Sequence, residues 1–341
     1  MLQVEDGFLR SLMPGSIEAP LSLAVDGLGI YYDATVESRL EALTVAPHEE
    51  DQRSRARRLV ELWRVGRLSK YNHARELPPP VAGDFVLAID QTAGDASIEY
   101  GLADRHGFAR MLEAALDENP GLPVVLKTHP DVVSGRKRGN FGQLAAGQAA
   151  RVVLVASDAH PPALLERASA VYTVTSQMGF EALIWGKPVR TFGMPFYAGW
   201  GLTEDALPAP ERRRTTHRVA LEDLIHAALV EYPRYIDPET GKRCEPERLM
   251  EWMSLQRRMR ERFPAQVQAI GFSRWKKPIV RAFFSGSDVT FTQRADRPAG
   301  HDGAAAAGAT AAPAGQAAVA VWGRQRVPAW AGQEAGTQHD A

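Results

Sequence analysis

The sequence lacks several features that mark whole classes of protein. It has a single cysteine, Cys244, in 341 residues, so an internal disulfide is impossible and a reducing compartment is expected. No apolar run approaches the length that a membrane-spanning helix needs. The amino terminus, MLQVEDGFLR, lacks the charged and then apolar pattern of a secretory signal. We therefore expect a cytoplasmic protein.

Several binding and catalytic motifs are also missing. A net charge of −1 provides no overall field for nucleic acid. There is no GxxxxGK[ST] loop of a P-loop NTPase, and no GxGxxG follows a strand as in a dehydrogenase. The histidines lack HExxH spacing and the cysteine stands alone, so the sequence indicates no zinc site. The hydrophobic content of 45% is typical of a globular chain, with room for about two domains.

The middle of the chain alternates apolar strands with helical segments. FVLAID, PVVLKTH, RVVLVA and AVYTVT are typical of strands, whereas FARMLEAALDENP and PALLERA are typical of helices. This alternation predicts a parallel sheet covered by helices, the α/β class. Before it, residues 49–68 predict a helix with Leu59, Leu62 and Trp63 on one face.

The stretch from Ala170 to Asp205 is the most informative part of the chain. A strand runs into Thr175 and Ser176 and then into a helix, which presents backbone N–H groups and the positive helix end to an anion. The two hydroxyls can cap the helix or hold a phosphate. Glu181 follows about one turn later, within reach of a sugar hydroxyl. This layout predicts a nucleotide-sugar pocket in an open α/β sheet.

The segment PFYAGWG, which follows the next strand, allows two interpretations. Its aromatic residues, Phe196, Tyr197 and Trp200, are either core residues or part of a loop that packs over a nucleotide or sugar. The glycines and the proline around them favour the binding loop. Tyr31 and Tyr32, in GIYYDAT, are expected in the core.

These segments resemble a known family. VTSQMGFEAL, GKPV with TFG, and PFYAGWGLT are similar to the donor-binding region of the capsule polysaccharide biosynthesis proteins called KpsC or LipA. Further blocks agree in order: VEDGFLRS, PLSLAVD, GIYYDAT, SKYN, DQTAGDASI and KTHPDV. The resemblance covers roughly residues 4 to 280. It implies a GT-B-like fold of two Rossmann-like parallel-sheet domains, the first truncated at its N-terminus.

The resemblance implies four parts in the chain. Residues 1–75 are expected to be the remainder of an N-terminal acceptor-side domain, and residues 76–245 a C-terminal domain that binds a CMP-sugar donor. Residues 246–286 are expected to be helices that cross back to the first domain. Residues 287–341 are expected to be a disordered Ala/Gly-rich linker followed, at VAVWGRQ, by the start of a second module.

The implied function is capsular polysaccharide biosynthesis by a retaining β-Kdo glycosyltransferase. The expected partners are the donor CMP-Kdo, a Kdo-bearing phospholipid acceptor and the capsule assembly and export machinery, at a location peripheral to the inner membrane. No cofactor or metal is expected, because a CMP-sugar has one phosphate and a good leaving group. The alternatives are a transferase for another CMP-sugar, such as sialic acid, and a non-catalytic export or scaffold component.

Retention requires two displacements at the ketose carbon of Kdo and therefore a pair of carboxylates. The residues alone allow Asp90 to end a strand and Asp95 to cap the next helix. The resemblance implies instead that Asp95 is the nucleophile and Asp90 a supporting residue. It also implies that Glu5 deprotonates the acceptor hydroxyl, although Glu5 alone is typical of a surface residue.

The remaining predicted site residues bind the donor. His129, at a strand end, is either satisfied in a turn or bonded to a phosphoryl oxygen of the departing CMP. HP pairs recur in CMP-sugar transferases, so we expect the second role for His129 and Pro130. Lys127, two residues earlier, is expected on the same face as His129. The predicted donor site also includes Thr175, Ser176, Gln177 and Glu181.

Overall fold

A computed structural model describes residues 1–15, 17–104, 106–128, 132, 138–141, 144, 146–214, 218–292 and 318–321. These residues belong to two compact units, Met1–Ser254 and Leu255–Ala341. None of the helices within the described ranges is long and apolar enough to cross a membrane.

A six-stranded parallel sheet is the centre of the first unit. Its strands are β3 (Val86–Ile89), β4 (Val124–Lys127), β5 (Val152–Val155), β6 (Ala170–Thr173), β7 (Val189–Thr191) and β8 (Glu204–Asp205). Their order across the sheet is β5-β4-β3-β6-β7-β8. This is the arrangement of a doubly wound nucleotide-binding sheet, in which the chain starts in the middle, builds to one side and then returns to build to the other.

The apolar strands follow from burial of the sheet on both faces. Leu87 and Ile89 of β3 point into one apolar cluster, and Val86 and Ala88 point into a second cluster on the opposite face. A strand between two apolar layers needs apolar residues at successive positions, and the run FVLAI provides them. The predictions of strands β3 to β6 and of an α/β class are thereby confirmed.

Helices cover the sheet and extend the unit. They are α1 (Arg39–Val45), α2 (Glu50–Gly66), α3 (Ala96–Tyr100), α4 (Gly107–Asp117), α5 (Ala146–Ala149), α6 (Pro162–Arg167), α7 (Gln177–Ile184) and α8 (Leu221–His226). A π-helical turn, Ala227–Glu231, continues α8. Helix α2 confirms the predicted helix, with Leu59 and Trp63 completely buried and Leu62 packed partly against the same core.

The front of the chain contributes an antiparallel sheet. Strands β1 (Gln3–Asp6) and β2 (Ser22–Asp26) pair with each other, and β2 pairs with β9 (Pro233–Ile236), which pairs with β10 (Arg243–Cys244). The parallel sheet predicted for the first domain is therefore not formed by the strands of residues 1–75. The first 75 residues instead pair with a segment near residue 235 within the same compact unit.

The second unit has a small parallel sheet of its own. Helix α9 (Pro246–Glu261) contains the boundary between the units, and it is followed by β11 (Gln266–Ile270), α10 (Lys277–Phe283) and β12 (Asp288–Thr292). Strand β13 (Ala318–Val321) pairs with β11 on the side opposite β12. The interval 246–286, predicted to hold helices, contains α9 and α10 and also strand β11, of which Val267, Ala269 and Ile270 are buried. Strand β12 lies at the start of the interval predicted as linker, and β13 overlaps the first residues of VAVWGRQ.

Candidate functional site

The candidate site lies where the parallel sheet reverses its direction of growth. Strands β3 and β6 are neighbours in the middle of the sheet, yet the chain leaves them toward opposite edges. The loops after the carboxyl ends of two such strands diverge and leave a crevice, which is where open α/β sheets bind ligands. Here these loops are residues 90–95, between β3 and α3, and residues 174–176, between β6 and α7.

A side-chain amide joins the two loops. Gln91 Oε1 accepts a bond of 2.9 Å from the backbone N–H of Thr175, and Gln91 Nε2 lies 3.1 Å from Thr175 Oγ1. The same amide nitrogen lies 3.3 Å from Ser97 Oγ, and the two hydroxyls are 3.2 Å apart. Thr175 is thus placed at the crevice as predicted, but its N–H is already bonded to Gln91, a residue that the sequence did not single out.

The start of helix α7 is the second element of the site. Ser176 is the N-cap, and its hydroxyl accepts a bond of 3.3 Å from the Met178 N–H. Gln177, half-buried in the first turn, donates from Nε2 to the Phe8 carbonyl at 2.6 Å. This bond attaches the helix start to the segment that follows β1.

A close approach of Tyr197 supports the same helix start. Its hydroxyl donates to the Ser176 carbonyl at 2.6 Å, and a Cβ added to Gly179 would lie 2.1 Å from that hydroxyl. Position 179 therefore requires glycine. Phe196, Tyr197 and Trp200 are all buried, and the first two belong to the main core. The interpretation of PFYAGWG as a loop over the ligand is therefore wrong, because its aromatic rings pack beneath the site.

Glu181 is buried at the base of the crevice and is not free at its surface. Its Oε1 atom accepts hydrogen bonds from the Lys70 backbone N–H at 3.1 Å and from Gln177 Nε2 at 3.4 Å. The other oxygen, Oε2, has no hydrogen-bond partner of normal geometry among the described residues. Burial raises the pKa of Glu181 to about 7, although the Ser69 hydroxyl and the Lys70 N–H oppose the shift.

The charges of two of the predicted catalytic carboxylates act on one pair of tyrosines. Asp95 is exposed and caps α3, with Oδ1 accepting a bond of 2.9 Å from the Ser97 N–H. Glu5 is half-buried on β1. Burial raises the pKa of Tyr31 and of Tyr32, and the negative charges of Glu5 and Asp95 raise both further. The structure thus brings Glu5 and Asp95 into one electrostatic environment although they belong to different sheets.

The tyrosine pair is positioned from both sides. Tyr31 packs edge-on against Phe8, with ring centroids 4.8 Å apart, and Tyr32 lies 6.3 Å from the ring of Tyr100 at the end of α3. The next residues reinforce this second contact, since the Ala34 N–H donates to the Tyr100 carbonyl at 2.9 Å. The expectation that both tyrosines are plain core residues is incomplete. Sequence reasoning had no signal that the charges of two acidic residues far apart in the chain act on both tyrosines.

Asp90 is buried beneath the loop that bears Asp95. Its Oδ1 accepts bonds from the Gln91 N–H at 2.9 Å and from Asn140 Nδ2 at 3.1 Å. Asn140 Nδ2 also donates to the Gln91 carbonyl at 2.7 Å. A Cβ at Gly139 would lie 2.7 Å from Asp90 Oδ2, so the chain at 139 passes directly over the carboxylate. These contacts give Asp90 the geometry of a residue that holds the loop.

The HP pair cannot be assigned a position, because His129 and Pro130 lie outside the described residues. Lys127, at the end of β4, is buried, and this burial lowers the pKa of its ammonium group while the Asp158 charge opposes the shift. Asp158 is itself bonded to His73 Nε2 at 2.7 Å.

Comparisons with known proteins point in one direction. A family model described as capsule polysaccharide biosynthesis protein matches residues 53–235. The capsule polysaccharide modification protein LipA of Neisseria meningitidis serogroup B is 41% identical over 296 residues, which covers 83% of this chain and 42% of LipA. The lipopolysaccharide-processing protein LpsZ of Rhizobium meliloti is 38% identical over 263 residues, which covers 75% of this chain and 59% of LpsZ. The chain spans about half the length of the curated relatives that it matches.

Two solved structures are also similar. Thermosulfurimonas dismutans KpsC, described as a β-Kdo 2,4 transferase, has a TM-score of 0.69 and 43% identity, covering 74% of this chain and 79% of that one. A second KpsC structure from the same organism, described as a β-Kdo 2,7 transferase, has a TM-score of 0.58 and 31% identity. The match covers 75% of this chain and 77% of that one. The likeness confirms the predicted GT-B-like fold class.

Proposed function

Because the chain belongs to the capsule polysaccharide biosynthesis protein family, we propose that it contributes a retaining β-Kdo transferase to capsule assembly. The donor is CMP-Kdo and the acceptor a Kdo-bearing phospholipid. The observation that supports this most directly is the crevice at β3 and β6, where the loop after β3 ends at Asp95 and the loop after β6 ends at Ser176, the N-cap of α7. The similarity to two Kdo transferase structures supports the choice of sugar.

The proposed chemistry is a double displacement. Asp95 attacks the anomeric carbon of Kdo, the bond from this carbon to the phosphate oxygen of CMP breaks, and CMP leaves with the electron pair. Glu5 then takes the proton of the acceptor hydroxyl, whose oxygen attacks the same carbon and releases the Asp95 carboxylate. The cap on α3 uses Asp95 Oδ1, while Oδ2 has no bond to a described residue, so one oxygen is available for attack.

The tyrosine pair explains how two carboxylates tolerate a sugar that itself carries a carboxylate. Neutral phenols donate hydrogen bonds to anions, and Tyr31 and Tyr32 are neutral at neutral pH because burial raises their pKa above an already basic ordinary value. We propose that these hydroxyls stabilise negative charge beside Glu5 and Asp95 and orient the reacting groups.

The CMP moiety is proposed to bind at the start of α7. Thr175, Ser176 and Gln177 line the end of the helix that carries partial positive charge, and this end stabilises a phosphate. His129 and Pro130 are proposed to approach the same phosphate, and Lys127 to add positive charge. Glu181 Oε2, which is buried and has no hydrogen-bond partner among the described residues, is proposed to accept a bond from a ribose hydroxyl.

We also propose the division of labour that the sequence indicates, with the acceptor side in residues 1–75 and the donor side in residues 76–245. The position of Glu5 on β1 and of Asp95 after β3 supports it, since the two carboxylates then approach the sugar from different sides. The helices after residue 245 are proposed to return to the acceptor side, and the β-strands near the end of the chain to begin a second module.

The decisive experiment measures transfer and nucleotide binding separately. We expect Asp95→Ala to abolish transfer of radiolabelled Kdo from CMP-Kdo to a synthetic Kdo primer, with a loss of several orders of magnitude. CMP affinity by calorimetry should stay close to that of the wild type, since Asp95 acts on the sugar carbon. Asp117→Ala, which removes an exposed carboxylate from the end of α4, is the matched control and should leave both quantities unchanged.

The remaining outcomes distinguish the alternatives. Intact-protein mass spectrometry with CMP-Kdo should detect a Kdo adduct on the peptide QTAGDASI. Near wild-type transfer by Asp95→Ala would remove Asp95 as nucleophile. Transfer of sialic acid in preference to Kdo would replace the donor, and a chain that neither binds CMP nor transfers sugar would support a scaffold role.

A further inference from the structure

A second cluster of ligand-type side chains involves none of the proposed transferase residues. It consists of His48, between α1 and α2, His226, at the end of α8, and Glu231, at the end of the π-helical turn. One nitrogen or oxygen from each of the three residues lies within 4.8 Å of the corresponding atoms of the other two. His226 Nδ1 is 3.9 Å from Glu231 Oε1. The two imidazoles meet edge to face, with centroids 5.2 Å apart.

The π-helical turn brings the last ligand into place. In an α-helix, residues five apart point in directions that differ by roughly 140°, so Glu231 would face away from His226. Here the Tyr232 N–H donates to the Ala227 carbonyl at 3.0 Å, the five-residue bond of a π turn. The wider turn reduces that angle and places Glu231 on the side of His226. Such turns are rare in proteins, and many of those that occur lie at functional sites.

Each of the two histidines has a ring nitrogen that forms no hydrogen bond to a described residue. His48 Nδ1 and His226 Nδ1 are both buried, and neither has a hydrogen-bond partner within the described ranges. The side chains are 2% and 5% exposed, so water has little access to them. A buried polar atom without a partner is unfavourable, and native structures rarely leave one without a reason. A bound cation would satisfy both nitrogens.

We propose that His48, His226 and Glu231 bind a divalent transition-metal ion, with Zn²⁺ as the best match. Imidazole nitrogen and carboxylate oxygen are the ligands that Zn²⁺ uses, and three protein ligands leave a fourth position for water. Zinc–nitrogen bonds of about 2.0–2.1 Å in a tetrahedron hold the donor atoms ~3.4 Å apart. The present spacing of up to 4.8 Å therefore requires the three side chains to move closer together when the ion binds.

A neighbouring carboxylate is not included in the ligand set. Asp223 Oδ1 lies 3.7 Å from His48 Nδ1, but it already accepts a bond of 2.8 Å from Arg53 Nε. Its other oxygen accepts the Ala220 N–H at 3.0 Å. A metal held by the other three side chains would fasten the connection before α2 to the end of α8. Since these segments are far apart in sequence, the ion would bind the folded chain in preference to the unfolded one.

The test uses zinc alone and does not depend on the transferase assignment. Protein stripped with a chelator is titrated with ZnCl₂ by calorimetry at neutral pH, and the site is also loaded with Co²⁺ to record the visible absorption of a tetrahedral ion. We expect one tight equivalent and a melting temperature that rises with zinc concentration. His48→Gln and His226→Gln should each weaken zinc binding by about 100-fold or more, and Glu231→Gln by about 10–100-fold.

Two controls make the result decisive. His106→Gln removes an exposed histidine and should leave the tight equivalent unchanged. Glu231→Gln keeps the side-chain volume at a partly exposed position, so it reports on the site even if a histidine variant folds poorly, which far-UV circular dichroism without metal would detect. The proposal is overturned if the wild type has no tight equivalent, or if Glu231→Gln and the folded histidine variants retain wild-type affinity, which would mean adventitious surface binding only.

Discussion

The buried carboxyl group of Glu181 provides a sharp test of the site because its ionisation is linked to folding. Glu181 is 1% exposed, and burial raises its pKa to about 7 from an ordinary value of 4.5. We consider Glu181→Gln, which keeps the shape and the acceptor oxygen for the Lys70 N–H but does not titrate.

The sign of the effect follows from the two pKa values. Below about pH 4.5 the carboxyl is protonated in both folded and unfolded chains, and its favourable contribution to stability is complete. As pH rises toward 7, the unfolded chain releases its proton while the folded chain retains it, so the wild type loses stability. Above pH 7 the loss is complete. At about 1.4 kcal/mol per pH unit, the total is about 3 kcal/mol, an order-of-magnitude value.

The assay is urea unfolding of wild type and Glu181→Gln, followed by circular dichroism at a series of pH values from 4 to about 8. The free energy of unfolding of the variant, measured relative to that of the wild type, should increase by about 3 kcal/mol from the lowest to the highest pH of this range. Glu247→Gln is the control with the opposite sign, because a hydrogen bond from Arg55 lowers the pKa of that carboxyl. A difference between Glu181→Gln and wild type that does not change with pH would refute the reasoning.

The same group links protonation to ligand binding. A ribose hydroxyl that donates to Glu181 Oε2 would favour the ionised form, so CMP binding near pH 7 should release part of a proton. Calorimetry in buffers of different ionisation enthalpy measures this release, which should disappear in Glu181→Gln. In addition, Ser176→Ala and Glu181→Ala should each weaken CMP binding by about 1–3 kcal/mol. Unchanged CMP affinity in both variants would remove the nucleotide from this position.

Three further predictions concern groups that support the site. Glu41→Ala should lower the free energy of unfolding in urea by about 3–5 kcal/mol. The reason is that the Arg213 guanidinium, which is 1% exposed and donates to Glu41 at 2.8 Å, loses its counter-charge. A loss below about 1 kcal/mol would contradict this. Gly179→Ala should cost roughly 1–3 kcal/mol, and Tyr197→Phe in the same chain should recover part of it by removing the hydroxyl that the new Cβ meets; equal losses in the single and double variants would count against the steric argument. Asp90→Ala should reduce Kdo transfer less than Asp95→Ala, and a larger reduction in the radiolabel assay would reverse the two roles.

Local sequence was sufficient for the parallel sheet and for the position of the crevice. Strands such as FVLAI and PVVLK are recognisable because burial on both faces demands continuous apolar runs. Thr175 and Ser176 were singled out because hydroxyl residues between a strand and a helix are typical of a helix start, and Ser176 is the N-cap in the structure. The candidate nucleophile, in contrast, was chosen by family resemblance, since an aspartate after a strand is just as typical of a helix cap. Asp95 does serve as that cap in the structure.

The features that only the tertiary structure determined depend on contacts between distant segments. The pairing of β2 with β9 joins residues near 24 to residues near 233, and no local pattern encodes such a partner. The same long-range packing lets the charges of Glu5 and Asp95 act on one tyrosine pair and buries the PFYAGWG aromatics. It also assembles His48, His226 and Glu231, which have no recognisable spacing because a π turn and a separate loop provide the geometry. Sequence alone thus determined the central strands and helices of the parallel sheet, through periodicity and capping, whereas the meeting of side chains from different segments was determined by the packing of the whole unit.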